Sequence, residues 1–128
     1  MTHESPKRLL VLVIDETALN VAMVRSMLEP SGYSVVWTHD GEIARAIAEG
    51  LSPDLILCDV RIRERDQRST LALIREDAKL SRIPVAFLSP AVWPDSESKD
   101  GHRLGAAKLI NRPIDASTLL AEIRNCLE

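Results

Sequence analysis

Four short strand-like runs in this chain, three of them wholly apolar, hand over directly to residues that can do chemistry. Leu9-Leu10-Val11-Leu12-Val13-Ile14 is followed by Asp15 and Glu16, and Leu55-Ile56-Leu57-Cys58 by Asp59. Val85-Ala86-Phe87-Leu88 is followed by Ser89, and Ala107-Lys108-Leu109-Ile110 by Asn111, Arg112 and Pro113. Three carboxylates gathered in a partly desolvated cleft repel one another strongly, and a divalent cation relieves that repulsion. Mg²⁺ is the natural candidate, because it takes oxygen ligands and keeps several waters. A carboxylate is also a nucleophile towards phosphorus and gives an aspartyl phosphate. The hydroxyl of Ser89 and the charge of Arg112 can then hold phosphoryl oxygens. Metal, nucleophile and donors together describe a site for phosphoryl transfer. Taken singly, each residue has a plainer reading. An Asp after a strand commonly caps the next helix, and Ser89 before Pro90 is an ordinary loop residue. Asp59 resists the capping reading, because Val60-Arg61-Ile62 does not open an amphipathic helix.

These residues meet only if the runs before them are parallel strands of one sheet. The first run is continuous and rich in β-branched residues, the pattern of a strand buried on both faces. Helical patterns alternate with the runs. Thr17 offers an N-cap for a helix over Ala18 to Glu29, with Leu19, Ala22, Met23, Met27 and Leu28 at helical spacing and Pro30-Ser31-Gly32 as its stop. Ser34 to Thr38 reads as the second strand. Asp40 caps a second helix with Ile43, Ala44, Ile47 and Ala48 as its stripe, ending at Gly50. Pro53-Asp54 introduces the third strand, Leu55 to Cys58. Arg61 to Ser69 is polar, and Thr70 to Ala78 resumes a helical pattern through Leu71, Leu73, Ile74 and Ala78. Pro84 opens the fourth strand. Pro90 to Gly101 is rich in breakers and predicts a loop with a short, weak helix. After the fifth strand, Asp115 caps a last helix with Leu119, Leu120, Ile123 and Leu127 as its stripe. Five strands alternating with about five helices predict an α/β fold, a parallel sheet with helices on both faces. Ligands of such sheets bind at the carboxyl ends of the strands.

Composition narrows the class further. The 128 residues read as a single domain, 1–128, with a polar N-terminal tail over 1–8. At 45% hydrophobic and a formal net charge of −3, disorder is excluded. Tyr33, Trp37, Phe87 and Trp93 are the only aromatic residues, so the core must be aliphatic and the stacking platforms of a single-strand nucleic-acid binder are missing. A pI near 5.6 counts against a phosphate-backbone binder. The longest apolar run has six residues, whereas a membrane span needs about 20. No signal peptide precedes it, and the expected location is cytoplasmic. Cys58 and Cys126 lack metal-ligand spacing and read as reduced thiols, Cys58 as a small core residue. No glycine-rich phosphate loop follows the first strand, which argues against a nucleotide or flavin binder.

The stretches VIDET with ALN behind it, SGYSVV, HDGEIA, PDLILCDV, IPVAFLS and GAAKLINRPID together resemble the receiver domains of two-component response regulators. The resemblance runs from about Leu9 to Leu127. It implies a flavodoxin-like, doubly wound sheet of five parallel strands in the order 2-1-3-4-5. It implies Asp59 as phosphoacceptor, Mg²⁺ held by Asp15, Glu16, Asp59 and the backbone carbonyl of Arg61, and a Ser89 hydroxyl that turns towards the phosphoryl group. Arg112 lies where the family has a lysine, just before Pro113. A histidine kinase or phosphotransfer protein is the implied donor, within a two-component system or phosphorelay, and a downstream protein is the implied recipient of the signal. Catalysis would be limited to the domain's own phosphoryl transfer and autodephosphorylation. Such domains often pair through their fourth and fifth elements, so a homodimer is one expected assembly.

The chain also departs from the family pattern. Arg112 carries the lysine's charge as a rigid fork rather than a compact point. The loop after Asp59 has Arg63 and Gln67 where the family has proline and glycine, and Gln67 takes φ > 0 less cheaply. Arg61, Arg63, Arg65 and Arg68 crowd that loop, either as a solvated run or with Arg61 neutralising Glu16 or Asp59. Leu109 stands where the family has a switch aromatic. Trp93 lies in the breaker-rich segment, either as part of a partner surface or folded onto the adjacent helix. These departures motivate a second reading, a receiver-like interaction module that works without phosphorylation.

Overall fold

The computed structural model describes residues 8–15, 17–59, 76, 78, 80–88, 108–110 and 115–127. Their order is β1 (Leu10–Ile14), α1 (Ala18–Leu28), a 3₁₀ turn (Glu29–Ser31), β2 (Ser34–Thr38), α2 (Gly41–Leu51) and β3 (Leu55–Asp59). A second 3₁₀ turn (Leu80–Arg82), β4 (Val85–Leu88), β5 (Lys108–Ile110) and α3 (Ala116–Leu127) follow. The strands form one five-stranded sheet in the order β2-β1-β3-β4-β5, every pair parallel. This is the flavodoxin-like winding expected from the sequence.

The period-two alternation of strand side chains divides the core into two layers. Val11 and Val13 of β1, Leu55 and Leu57 of β3, and Ala86 and Leu88 of β4 meet Val21, Val24 and Leu28 of α1 and Leu119 and Ile123 of α3. On the opposite face Leu12, Ile14, Ile56, Cys58, Val85 and Phe87 meet Ala44 and Ala48 of α2 and Leu80. Burial of each Leu, Ile or Val here stabilises the fold by roughly 1.5–3 kcal/mol relative to exposure. Cys58 is a buried core residue, as its apolar neighbours predict.

The amino end of the sheet is stitched by a side chain. Asp54 Oδ2 accepts from the Leu10 N–H at 2.8 Å, while the Asp54 N–H donates to the Leu10 carbonyl, also at 2.8 Å. Leu10 and Asp54 thus stand level, and the ladder runs on from Val11 opposite Leu55 to Ile14 opposite Cys58.

Three local expectations need correction. In α1 the buried stripe is Val21, Val24 and Leu28, whereas Leu19 is 68% and Met23 48% exposed and Ala22 is exposed as well. The helix is apolar on most of its circumference, so periodicity alone admits two phases; packing on the sheet selects the one with the valines. In α2 Ala44 and Ala48 are fully buried, which lets the helix approach the sheet closely, but Ile43 is 51% exposed. That helix also runs through Gly50 to Leu51, and Ser52 caps it in the left-handed conformation at φ 49°. Pro53 explains the stop, because it drives the residue before it out of the right-handed helical region. Gly32, at φ 98°, takes the other left-handed position among the described residues, after the 3₁₀ turn that ends α1. The expected helix over Thr70 to Ala78, the polar segment Arg61 to Ser69 and the loop Pro90 to Gly101 lie outside the described residues, apart from Glu76 and Ala78.

Candidate functional site

Three aspartates precede helices in the described chain, and the structure separates them. Asp40 is exposed, and its Oδ1 accepts from the Glu42 and Ile43 N–H groups at 2.8 and 3.0 Å. Asp115 is exposed too and accepts from the Thr118 N–H at 2.7 Å and from the Ser117 hydroxyl at 3.1 Å. These bonds, the Thr118 backbone first, hold the Asp115 carboxyl below its ordinary range. Both residues are helix caps. Asp15 is different. It is fully buried, and its Oδ1 accepts from the Thr17 N–H at 2.8 Å, a turn two residues long that ends before α1 begins. Thr17 occupies the N-cap position of α1 without a side-chain capping bond. The plainer capping reading therefore holds for Asp40 and Asp115 and fails for Asp15.

A buried carboxylate at a strand end needs a positional reason, since charge is costly to bury without partners. Ile14 is paired with Cys58, and Asp15 and Asp59 are the next residues along these two strands. Neighbouring strands run about 4.8 Å apart. Asp59 is the last residue of β3 and is opposite Leu88, the last residue of β4; Leu88 is opposite Ile110, the last of β5. The strands are parallel, so all these ends lie on one edge. That edge contains the switch in winding, because β1 is flanked by β2 on one side and β3 on the other.

Of the residues expected at the site, Asp15 and the backbone of Asp59 stand on this edge. Leu109 lies in β5 opposite Phe87. Glu16, Arg61, Ser89, Trp93 and Arg112 lie outside the described residues. One contact at the edge was not anticipated from the sequence. Trp37, in β2, donates its indole Nε1–H to the Asp15 carbonyl at 2.7 Å. A tryptophan near the end of a strand is visible in a sequence, but the direction of its N–H is not.

The response regulator receiver domain family matches residues 11–124. The chain is 31% identical over 117 residues to the DNA-binding dual master transcriptional regulator RpaA of Synechocystis, covering 91% of this chain and 48% of that protein. It is 26% identical over 117 residues to the polar-differentiation response regulator DivK of Brucella ovis, covering 91% of this chain and 94% of that protein. The chain thus spans about half of the first relative and nearly all of the second. Among solved structures, the receiver domain of the sensor histidine kinase PA1611 of Pseudomonas aeruginosa, with a magnesium ion coordinated in its active-site cleft, superposes with a TM-score of 0.83. That pair shares 23% identity and covers 94% of this chain and 98% of that one. The doubly wound parallel sheet of this chain, with a buried acidic residue at its switch point, is the flavodoxin-like fold shared with that receiver domain. This chain belongs to the response regulator receiver domains.

Proposed function

We propose that the chain accepts a phosphoryl group on Asp59 from a histidine kinase or phosphotransfer protein and passes the signal to a downstream protein. The observation that carries this reading is the fully buried Asp15 at the end of β1, one strand away from Asp59 at the end of β3. A buried carboxylate beside a second acidic position suits a hard, oxygen-seeking cation. Asp15, Glu16, Asp59 and the Arg61 carbonyl would hold Mg²⁺. Bound there, the ion would supply neutralisation of the acidic cluster and of the charge on the phosphoryl oxygens.

The chemistry of the chain's own groups then follows. A carboxylate oxygen of Asp59 forms a bond to phosphorus as the phosphorus–nitrogen bond of the donor histidine breaks, and the electron pair leaves with the imidazole. Ser89 and Arg112 bind the transferred oxygens, Arg112 as a two-pronged donor in place of the family's lysine. Hydrolysis of the acyl phosphate ends the signal. A cytoplasmic location belongs to the same reading.

The test is incubation with acetyl phosphate and Mg²⁺, followed by intact mass. A phosphoryl adduct is expected on the wild type and not on Asp59→Asn, and Mg²⁺ with beryllofluoride should perturb the amide spectrum of the wild type alone. A wild type that takes up neither acetyl phosphate nor beryllofluoride refutes the proposal and returns the chain to the phosphorylation-independent reading.

A further inference from the structure

We infer that Trp37 is a positioning residue for Asp15, its indole N–H fixing the Asp15 peptide before any cation arrives. The inference rests on the proposed Mg²⁺ site and adds to it a residue from the edge strand.

The main chain of Asp15 is held to β2 on both sides. Its N–H donates to the Thr38 carbonyl at 3.1 Å, and its carbonyl accepts from Trp37 Nε1 at 2.7 Å. The second bond lies at the short end of the range for N–H···O bonds. The carbonyl it fixes belongs to the peptide that joins Asp15 to Glu16. The Thr17 N–H holds the Asp15 carboxylate at 2.8 Å. Backbone and side chain of the first acidic residue are therefore both set by the fold.

The ring itself argues for this role. Trp37 is 41% exposed and belongs to neither core layer, while its strand neighbours Val35 and Val36 pack against one layer each. What ties the ring to the site is its N–H bond rather than membership of either layer. Its inward N–H is a single donor on a rigid plane with two side-chain torsions. Fixing a ligand-bearing peptide in advance removes an ordering cost that would otherwise be borne when the ion binds.

The test uses the full chain and Mg²⁺ alone, with affinity measured by calorimetry. Trp37→Phe removes the donor and part of the ring. Site-specific replacement of Trp37 by 3-benzothienylalanine keeps the ring's shape and removes only the N–H. Loss of one such hydrogen bond should weaken Mg²⁺ binding about fivefold in both variants. The melting temperature of the isostere should fall by no more than about 4 °C, the cost of that one bond, which separates positioning from general support of the fold. In the wild type, the Trp37 indole ¹⁵N–¹H resonance, identified by its absence in Trp37→Phe, should shift on adding Mg²⁺. An isostere that binds Mg²⁺ as tightly as the wild type overturns the role of Trp37 and leaves the acidic site standing. A wild type that binds no Mg²⁺ overturns both.

Discussion

The phase of α1 can be read out by making the same substitution twice on one helix. Leu28 is fully buried against β1, β3 and α3, whereas Leu19, on the same helix, is 68% exposed. Leu28→Ala removes three carbons from a packed layer, and buried Leu→Ala changes cost about 2.7–5 kcal/mol, more where the site cannot collapse. The site lies against the rigid central strands, so a cost of about 3 kcal/mol or more is expected. For a domain of this size that lowers the melting temperature by roughly 10 °C or more. Leu19→Ala removes the same atoms from a largely hydrated side chain and should change stability by no more than about 0.5 kcal/mol, with a slight gain from the better helix propensity of alanine. Met23→Ala should behave like Leu19→Ala. Urea unfolding followed by far-ultraviolet circular dichroism gives all three values on one scale. A cost at Leu19 comparable to that at Leu28, or a cost at Leu28 below about 1 kcal/mol, would refute the packing described for this helix.

Three further outcomes follow from the helix ends. Gly50→Ala should stabilise the protein by up to about 1 kcal/mol, because Gly50 lies inside α2 and a Cβ there meets nothing within 4 Å; a loss in urea unfolding would mean that Gly50, not Ser52, is the cap. Ser52→Gly should stabilise by roughly 0.5–1 kcal/mol by relieving the left-handed conformation, measured in the same way. Asp115 has its carboxyl pKa depressed by its capping bonds, so its contribution is present above the ordinary value of 3.8 and is lost as pH falls through the lowered one. The stability gap between wild type and Asp115→Ala should therefore be widest near neutral pH and narrow in acid, and a gap that widens in acid would contradict the capping geometry.

The layer plan was legible because parallel strands buried on both faces leave continuous apolar runs, and the bounds of β2 and β4 fall where the runs do. The caps Asp40 and Asp115 were legible because capping depends on nearby residues alone. The phase of α1 was not, since Leu19 and Met23 fit a helical period as well as Val21 and Val24 do, and contact with the sheet decides between them. The end of α2 was misplaced because glycine is a strong stop signal in sequence, while the constraint that acts here comes from Pro53. At the site, Asp15 was recognisable from its place after the first run, although nothing in the sequence distinguishes a buried aspartate from a capping one. The Trp37 bond spans 22 positions and depends on where the β1–α1 connection passes the edge strand, a relation that no local pattern carries.

The pair of bonds between Asp54 and Leu10 gives β1 and β3 a common origin at the end of the sheet farthest from Asp15. Asp15 lies five positions beyond Leu10, and Asp59 five positions beyond Asp54. The two acidic residues are level because two equal counts start from one mark. One residue inserted in either strand would offset them by about 3.3 Å and turn alternate side chains to the wrong layer. Between the mark and the acidic residues, many apolar side chains can be exchanged at constant volume, but the number of residues cannot change. Length, more than composition, is what these two segments must conserve.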